Sequence, residues 1–195
     1  NAIEFKNTQA TTVRNCQFTS TDSAAIFYQY PVMYDYANSA FYNTTKNYNS
    51  EITNCRFYAN AHAVVGRALI HLLGCTGVDQ IIIDSNYFEW CDVVLDGEGT
   101  YGWLNQLESD LYTPTAAGWS LGDVKRTGKD WLFSNNIVVN ASEHAVYAAG
   151  MNATISGNTF RAENSTVCLG DIKIRSIGAV VTGNSITTGA NGGGV

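Results

Sequence analysis

Apolar residues along this chain seldom recur at the three-and-four spacing of an amphipathic helix. They alternate with polar ones in short runs broken by Asn, Gly, Ser and Thr. That pattern predicts many short strands joined by polar turns. One six-residue motif returns throughout: an apolar residue, a short polar stretch ending in Asn or Cys, one variable residue and a second apolar residue. It reads VRNCQF from Val13, ITNCRF from Ile52, IDSNYF from Ile83, FSNNIV from Phe133, ISGNTF from Ile155 and VTGNSI from Val181. Its fourth position is Cys16, Cys55, Asn86, Asn136, Asn158 and Asn184. Successive starts lie 39, 31, 50, 22 and 26 residues apart, so a unit of about 22 residues carries insertions of different length.

The shortest unit divides into three strands, around 137–139, 145–148 and 153–156, with turns at NASE, GMN and GN. Three strands per turn of this length is the coil of a parallel β-helix. Coils stacked about 4.8 Å apart pair each strand with its equivalent in the next coil, and inward residues such as Val146, Ile155 and Phe160 line up as one continuous core. Asn at a repeated turn bonds its equivalents above and below through its amide and tolerates left-handed backbone. Cys16 and Cys55 read as small buried substitutes in that column. The fold expected is therefore all-β, one parallel solenoid domain over 1–195, with insertions at about 28–50 and 97–129.

Composition narrows the partners. A formal charge of −6 and a pI near 4.9 argue against nucleic acid, whose affinity rests on Lys and Arg. No apolar run approaches the roughly 20 residues that span a bilayer, so no membrane insertion is expected. The opening NAIEFKNTQA lacks a charged-then-apolar leader, and neither end reads as a solenoid cap, which suggests a fragment of a longer chain. Cys16, Cys55, Cys75, Cys91 and Cys168 lack paired zinc spacing; they read as reduced, buried thiols of a protein folding in a reducing cytosol, with no metal and no cofactor. Sequons at Asn43, Asn140, Asn152 and Asn164 are about as many as this composition produces by chance.

The repeat, over roughly residues 13–190, resembles that of the right-handed parallel β-helix superfamily that includes pectate lyases, polygalacturonases and bacteriophage tailspikes, whose coils carry such an Asn ladder. The resemblance implies a right-handed, single-stranded parallel β-helix. Irregular coil lengths, aromatic-rich insertions and unpaired cysteines make it most similar to the tailspike branch. That branch implies a homotrimer in the extracellular virion tail, folded in the host cytoplasm, whose partner is a bacterial surface polysaccharide, capsule or lipopolysaccharide. A fold hosts many functions, so the site must carry the rest.

In this superfamily the strand equivalent to HAVYAAG forms the first sheet and often floors the ligand groove. Its equivalents here are AAIFYQ from Ala24, ALIHLLG from Ala68, CDVVLDG from Cys91 and GDIKIRS from Gly170. Alternation with Ile70, Val146, Ile172 and Ile174 inward sends His71, Tyr147, Lys173 and Arg175 outward. The same logic sends Asp92 and Asp96 outward around a core of Val93 and Leu95. The insertion at 97–129 adds Tyr101, Trp103 and Trp119 beside Glu98, the aromatic-and-acid mixture on which sugar rings stack and hydroxyls bond. Trp103, Trp119, Tyr101, Tyr147, His71, Lys173 and Arg175 are the candidate substrate-binding residues.

Hydrolysis of a glycosidic bond uses two carboxyl groups, one as acid and one as base or nucleophile. Asp92, Asp96 and Glu98 are the candidates, with Asp92 and Asp96 expected about 7 Å apart at their α-carbons on one strand. A lyase would instead use a base and cations, drawn from His144, Tyr147, Lys173 and Arg175. EHAVYAAG and GDIKIRS loosely resemble the His-containing and Arg-x-Lys segments of polygalacturonases, but no Asp-Asp pair occurs here, so that mechanism is discounted. The expected function is binding and cleavage of a bacterial surface polysaccharide, with hydrolysis ahead of elimination. The alternatives are a non-catalytic carbohydrate-binding adhesin or shaft, and a secreted pectinase-type lyase or hydrolase.

Overall fold

The computed structural model describes residues 2–6, 8–19, 24–30, 33–35, 40–42, 47–59, 62–68, 78–96, 129–141, 144–149, 151–163, 171–174 and 178–187. Among the described residues six coils follow one another. The first holds β1 (Ile3–Lys6), β2 (Thr12–Arg14) and β3 (Gln17–Thr19); the second β4 (Ala24–Tyr30), β7 (Asn47–Thr53) and β8 (Arg56–Tyr58), with β5 (Met33–Asp35) and β6 (Ala40–Tyr42) inserted between as an antiparallel pair. The third holds β9 (His62–Ala68), β10 (Val78–Asp84) and β11 (Tyr87–Glu89), and the fourth β12 (Val93–Asp96), β13 (Lys129–Ser134) and β14 (Ile137–Val139). The fifth holds β15 (His144–Ala149), β16 (Met151–Ser156) and β17 (Thr159–Arg161), the sixth β18 (Asp171–Ile174), β19 (Val180–Thr182) and β20 (Ser185–Thr187).

Every coil gives one strand to each of three six-stranded parallel sheets, in coil order. The described chain is all-β, and its stacked parallel sheets are consistent with a solenoid-like β-helix. The three strands expected in the shortest unit are β14, β15 and β16. One expectation needs correcting: the first-sheet strand of the third coil is β9, HAVVGRA, which pairs Val64 with both Ile26 and Val93. ALIHLLG begins at its last residue, and His71 lies outside the described residues.

Each inward column repeats apolar side chains because stacked equivalents touch. The second sheet stacks Val13, Ile52, Ile83, Phe133, Ile155 and Val181. The third stacks Phe18, Phe57, Phe88, Val138, Phe160 and Ile186. Rings of Phe18, Phe57 and Phe88 lie face to face with centroids 5.0 and 4.9 Å apart. A partly buried hydroxyl set links strands of the first two sheets, where Thr11 Oγ1 donates to Ser50 Oγ at 2.8 Å and lies 3.5 Å from the Tyr28 hydroxyl.

Between the second and third sheets every coil turns through one left-handed residue: Asn15, Asn54, Ser85, Asn135, Gly157 or Gly183. The next residue is the ladder position. Asn86 Nδ2 donates to Asn136 Oδ1 at 3.1 Å, Asn136 Nδ2 to Asn158 Oδ1 at 3.1 Å, and Asn158 Nδ2 to Asn184 Oδ1 at 2.9 Å. Each Oδ1 also accepts the backbone N–H of the preceding coil, at 2.8 to 2.9 Å from Cys55, Asn86, Asn136 and Asn158. The second amide hydrogen returns to a carbonyl, as from Asn136 to Ile83 at 2.9 Å. Buried polar groups are thereby satisfied in a column that apolar residues could not fill.

Candidate functional site

The first sheet carries the candidate chemistry. One column of paired residues is Ile3, Ile26, Val64, Val93, Val146 and Ile172, in which the side chains of Ile26, Val93, Val146 and Ile172 are buried inward, and the column beside it is Glu4, Phe27, Val65, Val94, Tyr147 and Lys173. Alternation from Val146 and Ile172 assigns Tyr147 and Lys173 to the outer face. Lys173 is exposed, as expected, and its Nζ sits 5.6 Å from the centroid of the Tyr147 ring. Tyr147 is not: at 2% exposure it is buried, because alternation fixes which way a side chain leaves a strand but not what the neighbouring coil lays over it. A cation over a phenol face is held by the ring quadrupole, so Tyr147 positions the ammonium of Lys173.

Asp92 departs from its expected exposure in the same way. One residue before the inward column stand Ala25, Ala63, Asp92 and Ala145, all at 1% exposure or less. The backbone there is continuous with the ladder, since Ala63 N donates to Asp92 O at 2.8 Å. A carboxyl thus occupies a site that neighbouring coils fill with a methyl group. Packing alone does not ask for it, because enclosing an ionisable group costs free energy that alanine would not incur.

The expected spacing of the acids also needs correcting. Asp92 and Asp96 are four residues apart along nearly extended chain, about 13 Å at their α-carbons and not about 7 Å. Asp96 ends β12 opposite Ala149, with its side chain outside what the structure describes. Glu98, Tyr101, Trp103, Trp119, His71 and Arg175 lie outside the described residues, as does most of the insertion at 97–129. What the described residues bring together is Tyr147 and Lys173, which pair across adjacent coils; Asp92 stands in the coil before Tyr147, two residues ahead of the Val94 that pairs with it.

Sequence reasoning passed over the outer face of the third sheet. There Arg56, Tyr87 and Ile137 form one column and Tyr58, Glu89 and Val139 the next. The rings of Tyr58 and Tyr87 are tilted at 5.8 Å, Tyr87 Oη donates to Glu89 Oε2 at 3.0 Å, and Arg56 Nη1 donates to Tyr58 Oη at 3.5 Å. Burial, then the Glu89 carboxylate, pushes the Tyr87 phenol up. The signal available was alternation in RFY and YFE, which flank the ladder motif.

Among the described residues no three His, Cys, Asp or Glu side chains gather as a metal site, and no helix is long and apolar enough to cross a membrane. Of the cysteines, Cys55 and Cys91 are buried and Cys16 is partly exposed, none of the three in a disulfide; Cys75 and Cys168 lie outside the described residues. Compared with known proteins, the chain matches no family model, no curated sequence and no solved structure.

Proposed function

We propose that this chain is a segment of a right-handed parallel β-helix of the pectate-lyase-like superfamily, most similar to bacteriophage tailspikes, that binds and cleaves a bacterial surface polysaccharide. The observation that carries the reading is the buried Asp92 in a column of alanines, one coil before the Tyr147–Lys173 pair. Lys173 binds an acidic or hydroxyl-rich sugar at the exposed edge. Asp92 supplies one carboxyl group, and the second comes from Glu98 at the mouth of the insertion, since Asp96 stands about 13 Å along the strand, beyond the separation that hydrolysis uses. The homotrimer and the virion location follow from the same resemblance.

Hydrolysis and elimination separate on the product. Titrating capsule and lipopolysaccharide preparations against the protein, with Lys173→Ala as comparison, should give saturable binding that weakens about tenfold in the variant. Equal binding by the variant would remove Lys173 from the site, and no binding by either would remove the reading.

A second reading, a non-catalytic carbohydrate-binding adhesin, has its own support in the Tyr58–Tyr87 face, whose rings and flanking Arg56 and Glu89 suit sugar stacking and hydroxyl bonding. Under that reading Tyr87→Ala lowers glycan affinity and the polysaccharide stays at full length.

A further inference from the structure

Cys16 and Cys55 hold equivalent positions in adjacent coils. Val13 pairs with Ile52, Arg14 with Thr53 and Gln17 with Arg56, and Arg56 N donates to Cys16 O at 2.9 Å. In-register parallel neighbours stand about 4.8 Å apart at their α-carbons, inside the roughly 4.4–6.8 Å window of a disulfide. The side chains run in parallel too. Cys16 Sγ donates to Arg14 O at 3.3 Å and Cys55 Sγ to the equivalent Thr53 O at 3.3 Å. Cys55 Sγ also reaches down to Val13 O, in the coil of Cys16, at 3.7 Å.

The ladder gives the pair a consequence. From Asn86 onward each joint between coils is tied by side-chain amides, whereas the joint between the first and second coils holds two thiols, which are weak donors and weak acceptors. We propose that Cys16 and Cys55 form a disulfide when the protein meets a low-molecular-weight disulfide, and that this bridge staples the first coil to the second. The partly exposed Cys16, as thiolate, attacks one sulfur of the small disulfide and expels the other as a thiol. Cys55 then gives up its proton and attacks the Cys16 sulfur, expelling the second small thiol. Two protein thiols are oxidised, one small disulfide is reduced to two thiols, and no further reactant is needed. The order follows from access: Cys55 is buried, and burial pushes its thiol up, so it reacts once Cys16 has brought an electrophilic sulfur beside it.

The proposal is independent of the polysaccharide reading. Its test is the full chain treated with oxidised glutathione, followed by intact mass, peptide mapping and thermal unfolding with and without dithiothreitol, with Cys16→Ser alongside. The expected result is a loss of two hydrogens, a linked peptide pair containing Cys16 and Cys55, and an unfolding midpoint raised by several degrees that falls back on reduction; Cys16→Ser shows none of the three. A glutathione adduct that persists on Cys16, a bridge through Cys75, Cys91 or Cys168 instead, or an unchanged mass would each overturn it. Mapping on the unmutated chain decides the matter even if the variant fails to fold.

Discussion

Phe133 fills the space that Val138 leaves. Phe18, Phe57, Phe88 and Phe160 stack along the third sheet, but in the fourth coil that column holds Val138. The missing ring comes from the facing wall, where Phe133 replaces the Ile of neighbouring coils and sits 5.8 Å from Phe88 and 6.3 Å from Phe160. Both residues are 2% exposed. Volume is conserved to within one methylene across the core of the coil while the position of the ring changes.

Phe133→Ala should therefore cost about 3–5 kcal/mol, the range for emptying an aromatic site in a closed core. Val138→Phe alone should also destabilise, by overpacking. The double change Phe133→Ile with Val138→Phe restores the regular columns and should recover most of the loss, a coupling that a double-mutant cycle in urea measures.

The ladder predicts opposite signs at two of its positions. Asn136 takes part in bonds to Asn86, Ile83 and Asn158, so Asn136→Ala should cost about 3 kcal/mol by leaving several buried partners unsatisfied. Cys55→Asn extends the amide column by one rung, toward the Val13 carbonyl that the thiol now reaches weakly, and should stabilise the reduced protein by about 1 kcal/mol. Chemical denaturation in the presence of reductant checks both.

Two glycines at the same turn should respond unequally to alanine. A Cβ on Gly157 would lie 2.9 Å from Asn135 Oδ1, whereas one on Gly183 meets nothing closer than 3.9 Å. Both have positive φ, so both substitutions carry a backbone cost of about 1 kcal/mol. Gly157→Ala should lose clearly more than Gly183→Ala in thermal unfolding, and equal losses would mean that Asn135 yields freely.

Acid should weaken the protein partly through Asp84. Burial would raise this carboxyl, but hydrogen bonds from Ser134 at 2.6 Å, Ser85 at 2.7 Å and Asn135 at 2.9 Å together outweigh it, and the group is held below its ordinary range. A depressed folded-state value means that the stabilisation is fully present above the unfolded carboxyl value, about 3.9, and is lost as pH falls through the folded one. Asp84→Asn should flatten that part of the stability profile below about pH 4, measured by urea midpoints at successive pH values.

Much of the scaffold was readable from the chain. A ladder Asn announces itself because the same left-handed turn and the same amide bonds recur in each coil, and the six motif starts are the six coils. The exposure of Asp92 and Tyr147 was not readable, since alternation sees one strand at a time while burial depends on the coil above and below. The strand in the third coil was misplaced for a related reason: HAVVGRA and ALIHLLG alternate equally well, and only pairing of Val64 with Ile26 and Val93 decides between them. Nor does periodicity in one strand reveal that Phe133 compensates for Val138 on another.

The most direct test of the polysaccharide reading is product analysis. The protein and its Asp92→Asn variant, the latter shown by circular dichroism to be folded, are incubated with purified surface polysaccharides from a panel of bacteria, and the products are read by mass spectrometry. The account predicts shortened chains with saturated ends from the unmutated protein on at least one polysaccharide, and a rate at least about a hundredfold lower in the variant, with binding retained. Polysaccharides left intact across the panel, or cleavage by Asp92→Asn at the unmutated rate, would contradict it.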